Sequence, residues 1–148
     1  QEPLRDSDGS TTPHNHKEIL DEHSVIRRIS ELQLVTDANG KRISSSMTFR
    51  SSTDKNGGMS IDLKYQIEQA GLDAKEYVTD PRWIGSLLLK VSDIRQLGFF
   101  VGYDPLIEPE PNPYNGEVWG KFSKGENGTI EKLRKCAVWF VPIDNVSL

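Results

Sequence analysis

The chain has 148 residues, 35% of them hydrophobic, with a single cysteine and a formal net charge of −4. That is enough for one domain with a real core, and one cysteine excludes an internal disulfide. An acidic chain without a basic stripe is a poor nucleic-acid binder, and no stretch approaches the roughly 20 apolar residues that cross a bilayer.

Residues 1–23 carry two basic and six acidic side chains, and residues 1–16 have Leu4 as their one large apolar residue. They read as a disordered acidic tail ahead of a single domain at 24–148. No secretory signal is read at the start, and a cytoplasmic location is expected. His14, His16 and His23 form the only histidine cluster. Two histidines one residue apart can both reach a metal, but a site needs a third ligand. Plain surface histidines are the simpler reading, and no metal or cofactor is assigned.

Residues 17–30 mix two signals. Ile19, Leu20, His23, Ile26 and Ile29 suit an amphipathic helix, while residues 24–29 also suit a strand. Arg27 and Arg28, being adjacent, face different ways, and an ion pair with the body of the protein is their simplest role. Residues 37–40 form a turn in which Gly40 supplies positive φ. Residues 41–50, with Ile43, Met47 and Phe49 as buried candidates, are open between helix and strand. Asn56-Gly57 marks a hairpin turn. Residues 59–63 alternate like a half-buried strand. A helix can also start within them, since Leu63, Ile67 and Ala70 share a helical face that Gly71 ends, so residues 59–70 are open between strand and helix; residues 73–77 add another turn of helix.

The stretch from Trp83 to Gly120 holds the longest apolar run. Residues 84–91 read as a buried strand, Ser92 as the N-cap of a helix at 93–97, and residues 99–103 as a second strand. So short a connection makes the two strands antiparallel neighbours or places them in different parts of the sheet. Prolines at 105, 109, 111 and 113 then exclude helix and central strand, leaving an extended loop. Residues 114–122 resume strand character, with Val118 and Phe122 on one face and Glu117 and Trp119 on the other. Thr129 reads as the cap of a last helix that buries Ile130, Leu133, Cys136, Ala137 and Phe140 and ends at Val141-Pro142. Residues 143–148 form a short strand or tail. The expected fold is α+β: a small, mostly antiparallel sheet with two or three short helices.

No phosphate-binding loop, nucleophile elbow or paired-cysteine metal site is present. Cys136 on an apolar helical face is a small buried hydrophobe before it is a nucleophile. The candidate site is the proline-rich loop and the strand after it: Asp104, Glu108, Glu110, Asn112, Tyr114, Asn115, Glu117 and Trp119. The prolines stiffen the loop, while Tyr114 and Trp119 add apolar surface with a hydrogen-bonding handle, as interface anchors do. The first reading is a non-enzymatic binding or accessory protein that meets a protein partner through residues 104–119. An immunity- or antitoxin-like role is one version. The alternative is a small metal-dependent hydrolase or nuclease-like enzyme using Asp104, Glu108 and Glu117. The plainest reading is a rigid exposed connection whose acids keep the surface soluble.

In order along the chain, Arg27-Arg28-Ile29, the stretch GMSIDL at 58–63 and the stretch NPYNGEVWG at 112–120 resemble a group of small bacterial proteins of unknown function. The resemblance covers most of residues 24–140. It implies a stand-alone, cytoplasmic bacterial domain and attaches no activity. In that group's pattern position 115 is usually histidine, whereas this chain has Asn115. An amide cannot titrate, so the departure weakens any catalytic reading.

Overall fold

A computed structural model describes residues 3–50, 57–79, 83–107 and 110–148, with the side chains of all but Ser46 and Met47. In chain order the elements are β1 (Ser24–Ile29), β2 (Leu34–Thr36), β3 (Arg42–Ser44), β4 (Met59–Leu63), α1 (Lys64–Gln69), α2 (Ala74–Tyr77), β5 (Gly85–Lys90), α3 (Val91–Gln96), β6 (Phe100–Tyr103), β7 (Asn115–Trp119), α4 (Thr129–Cys136), β8 (Val138–Val141) and β9 (Val146–Ser147). Single 3-10 turns lie at Glu31–Gln33 and Ser46–Phe49. The hairpin dipeptide Asn56-Gly57 falls partly outside the described residues.

Six strands form one antiparallel sheet in the order β6-β7-β4-β1-β5-β8. A second sheet, β2-β3-β9, pairs β3 with β9 in parallel. The fold is α+β, and the described residues hold four short α-helices where two or three were expected. Strands β5 and β6, joined by α3, lie far apart in the sheet, with β6 at one edge.

The ambiguous segments resolve through pairing. Residues 24–29 are strand, because β1 is held between β4 and β5. Side chains alternate across a strand, so Val25, Arg27 and Ile29 share one face, and Ile26 and Arg28 the other. The three successive leucines of β5 have the same explanation. Leu87 and Leu89 join the main core, and Leu88 packs with Ile26, Ile67, Ala74 and Val78 on the opposite face. A strand covered on both faces has no reason to alternate in polarity.

The last helix is shorter than its periodicity implies. α4 stops at Cys136, and residues 138–141 pair with β5 as β8. Val-Trp-Phe-Val is β-branched and aromatic, and the available strand edge overrides the helical spacing that reaches Phe140. Helix α3 also starts at Val91, ahead of the expected Ser92 cap.

The N-terminal segment departs most from expectation. Instead of a disordered tail, residues 3–23 are tied to the fold, with 14–16 along the edge strand β6. Ile19 is buried in the main core and Thr11 is buried beneath the 104–114 loop. The His16 N–H donates to the Val101 carbonyl at 3.0 Å. The segment has too little apolar surface to collapse by itself. Hydrogen bonds to an open strand edge hold it instead.

Candidate functional site

Glu117 sits at the centre of a buried polar seam beneath the 104–114 loop. On β7 it alternates with the core residue Val118, so it leaves the sheet on the opposite face. Its cross-strand neighbours are Ser60 on β4 and Gly102 on β6, both small enough to leave room for a carboxyl. Glu117 is 2% exposed, Asp104 8% and Asn115 3%. Gly58 forms one wall: a Cβ there would stand 2.1 Å from Glu117 Oε2 and 2.8 Å from Trp119 Nε1. Thr11 forms another, its Oγ1 donating to Asp104 Oδ1 at 2.5 Å. Asn115 joins strand to loop. Its Nδ2 donates to the Asp104 carbonyl at 2.8 Å, and its Oδ1 accepts from Ser60 Oγ at 2.6 Å.

Two carboxyls packed together resist ionising together. Burial first, then the Asp104 charge and a hydrogen bond to Asp104, push the Glu117 pKa up to about 8, against an opposing pull from Arg27. At neutral pH Glu117 therefore keeps its proton and donates it toward Asp104. From β1, Arg27 donates through Nε to the Thr48 carbonyl at 2.8 Å and through Nη1 to the Ser60 carbonyl at 2.7 Å. Burial lowers the Arg27 pKa to about 10, with Glu117 and Asp62 opposing, so the side chain stays cationic at neutral pH. Glu117 Oε2 and Trp119 Nε1 are buried with no hydrogen-bond partner among the described residues. The Gly58 wall is therefore tight. Gly58→Ala is expected to cost about 1–3 kcal/mol by overpacking, read as a lower urea midpoint.

A second cluster latches the loop to the fold. Arg28 grips Asp62 with two bonds, at 2.8 and 2.9 Å. Asn112 Nδ2 donates to Asp62 Oδ1 at 3.0 Å, and Asn112 Oδ1 accepts from the Tyr77 hydroxyl at 2.8 Å and the Tyr114 N–H at 3.1 Å. Burial first, and then the Asp62 charge, raise the Tyr77 pKa, so its hydroxyl stays a donor. Leu106 and Asn112 exchange both backbone bonds, at 3.0 and 2.9 Å.

The structure thus divides the residues proposed from sequence. Asp104, Asn115, Glu117 and Trp119 are brought together, but inward. Their burial corrects the expectation that they form a contact surface. Asn112 and Tyr114 are half-buried members of the latch, Glu110 is exposed, and Glu108 lies outside the described residues. The loop's exposed apolar residues are Leu106, at 37%, and Ile107, at 75%. Neither carries an aromatic ring or a charge, so neither stands out in the sequence as an interface anchor. Thr11, Asp62, Gly58 and Gly102 complete the site with no local sequence signal that marks them. The ion pair expected of the arginine pair is made by Arg28 with Asp62.

Asp104 and Glu117 of the metal alternative do lie side by side. Glu108, the third carboxylate of that alternative, lies outside the described residues. Among the described residues no group of three or more His, Cys, Asp or Glu side chains could hold an ion. Burial pushes the Cys136 thiol up, away from the nucleophilic thiolate. Among the described residues no helix is long and apolar enough to cross a membrane. Comparison with protein-family models, curated proteins and solved structures returns no match.

Proposed function

We propose that this is a binding protein that presents its 104–114 loop to a protein partner, with the buried seam as the loop's mount. The observation behind this reading is a contrast within one loop. Its base is tied by Asn112 and Asn115, while Leu106 and Ile107 stand exposed. A rigid mount reduces the ordering cost of binding, and apolar anchors within a polar rim carry most interface energy. Residues 105–114 contain Glu108 and Glu110 and no basic residue. The matching partner surface is an apolar cleft bordered by Lys or Arg. An immunity- or antitoxin-like inhibitor is one form of this reading.

Native mass spectrometry of the chain recovered gently from its host lysate provides the test. The wild type is expected to carry a stoichiometric protein companion. Ile107→Asp should lose that companion and melt at the same temperature, because Ile107 is 75% exposed. A wild-type chain recovered alone, or a companion that survives the substitution, would overturn the proposal.

A further inference from the structure

Four Asn-Gly pairs punctuate the chain, at 39–40, 56–57, 115–116 and 127–128. Such a pair is a reaction centre as well as a turn signal, and asparagine is a heat-labile residue. The glycine nitrogen, next to a carbon with no side chain to shield it, can attack the asparagine side-chain carbonyl carbon. A C–N bond forms, ammonia leaves, and the product is a cyclic succinimide. Water then opens the ring at either carbonyl and gives aspartate or isoaspartate, the latter with the main chain running through the former side chain. Water is the only co-reactant. The requirement is geometric: the amide must be free to swing and the glycine backbone free to turn. Pair 56–57 falls partly outside the described residues, and the structure separates the other three.

Asn115-Gly116 is locked twice. The buried Asn115 amide is held by the Asp104 carbonyl and Ser60 Oγ, as described above. Gly116 lies inside the sheet, paired with Ile61 of β4 and Tyr103 of β6, and a Cβ on it would stand 2.8 Å from the Gly102 carbonyl. Asn127-Gly128 has an exposed asparagine but a buried, cramped glycine. A Cβ on Gly128 would stand 2.4 and 2.5 Å from the Ser123 and Lys124 carbonyls. Gly128 is also the N-cap of α4, its carbonyl accepts the Lys132 N–H at 3.1 Å, and bonds exchanged by Ser123 and Thr129 close the chain around it. Asn39-Gly40 has none of these restraints. Both residues are exposed, and among the described residues the Asn39 side chain makes no hydrogen bond. A Cβ on Gly40 would meet nothing within 4 Å. The ties are those of the turn itself: Gly40 N–H to the Asp37 carbonyl at 3.0 Å, and the Asn39 and Lys41 N–H groups to Asp37 Oδ1, each at 2.9 Å. The turn joins β3 to β2, an edge strand of the three-stranded sheet, so opening it leaves the six-stranded sheet intact.

We infer that Asn39 is a self-modifying site: in the folded chain it loses its amide through a succinimide with Gly40, while the fold shields Asn115 and Asn127. The product sets a carboxylate beside Asp37 and adds one negative charge to the formal −4. Isoaspartate also inserts a methylene into the main chain. Like charges and a longer backbone both work against a turn that closes on the Asp37 carboxylate. The Thr36–Arg42 pair next to the turn loosens first.

The test is peptide mass spectrometry of the whole chain held in warm, neutral buffer, beside a sample held unfolded in urea. Loss of the amide raises a peptide's mass by about 1 Da, and isoaspartate is told from aspartate by its separate elution. In the folded chain the Asn39 peptide is expected to convert several-fold faster than the Asn127 peptide, and the Asn115 peptide to stay intact. In urea the three should convert at similar rates, because they share one dipeptide. Asn39→Gln should remove the leading acidic species from ion exchange and melt at the wild-type temperature. A folded chain whose Asn115 or Asn127 converts as fast as Asn39 would overturn the inference. So would an Asn39 that stays intact when folded but converts in urea. A rate order in urea that already matches the folded order would overturn it too, since the sequence alone would then account for the difference.

Discussion

Glu117→Gln is expected to stabilise the protein by about 3 kcal/mol at pH 7 and to change it little near pH 4.5. The folded-state pKa of Glu117 is raised to about 8 from an ordinary value of 4.5. The folded chain therefore holds a proton that the unfolded chain has released. A raised carboxyl contributes stability that is fully present below the unfolded pKa and is lost as pH rises through the folded one. Between these limits each pH unit removes about 1.4 kcal/mol. Glutamine needs no proton to be neutral. Its amide can donate to Asp104, and its oxygen can face the indole N–H of Trp119, which has no partner among the described residues. Urea unfolding from about pH 5 to about pH 9 provides the measurement. The wild-type curve should slope down with pH, and the variant's should lose one proton's worth of that slope. Parallel curves would show that the buried proton is elsewhere.

How much of this was legible depends on the range of the interactions. Met59–Leu63 and Lys64–Gln69 left local signals, alternation and 3-4 spacing, but the two overlap at Leu63 and leave the strand–helix boundary open. The shared face of Glu117 and Trp119 was readable from alternation alone. That this face is covered was not, because its lid comes from His14 and Thr11, and His14 reaches Tyr103 across 89 positions. Polar residues that pair with a strand edge look like solvated residues when only their neighbours are seen. Gly58 and Gly102 left a faint trace: small residues facing the two sides of one carboxyl. Their meaning emerges only once the β4-β7 and β6-β7 registers are known. The α4–β8 boundary failed for a related reason. Phe140 is in phase with the helix but belongs to a strand, because β5 offers an edge there.

Arg27→Met is expected to cost about 2–6 kcal/mol, from two carbonyls left without a donor, the largest loss predicted for a single side chain in this fold. Methionine fills much of the same volume, so the loss is one of charge and hydrogen bonds rather than of packing. The Thr48 and Ser60 carbonyls each lose a donor that now stands at 2.8 and 2.7 Å. A buried acceptor left without its donor costs about 1–3 kcal/mol. The same cation also opposes the rise in the Glu117 pKa, so removing it drives that pKa higher and extends the alkaline loss of stability to higher pH. Arg27→Lys should recover only part of the deficit. An ammonium restores the charge, but it lacks the planar fork that serves two carbonyls in fixed directions. The expected order of urea midpoints at pH 7 is wild type, then lysine, then methionine. A lysine variant equal to wild type would reduce Arg27 to a point charge. A methionine variant equal to wild type would remove it from the support of the seam.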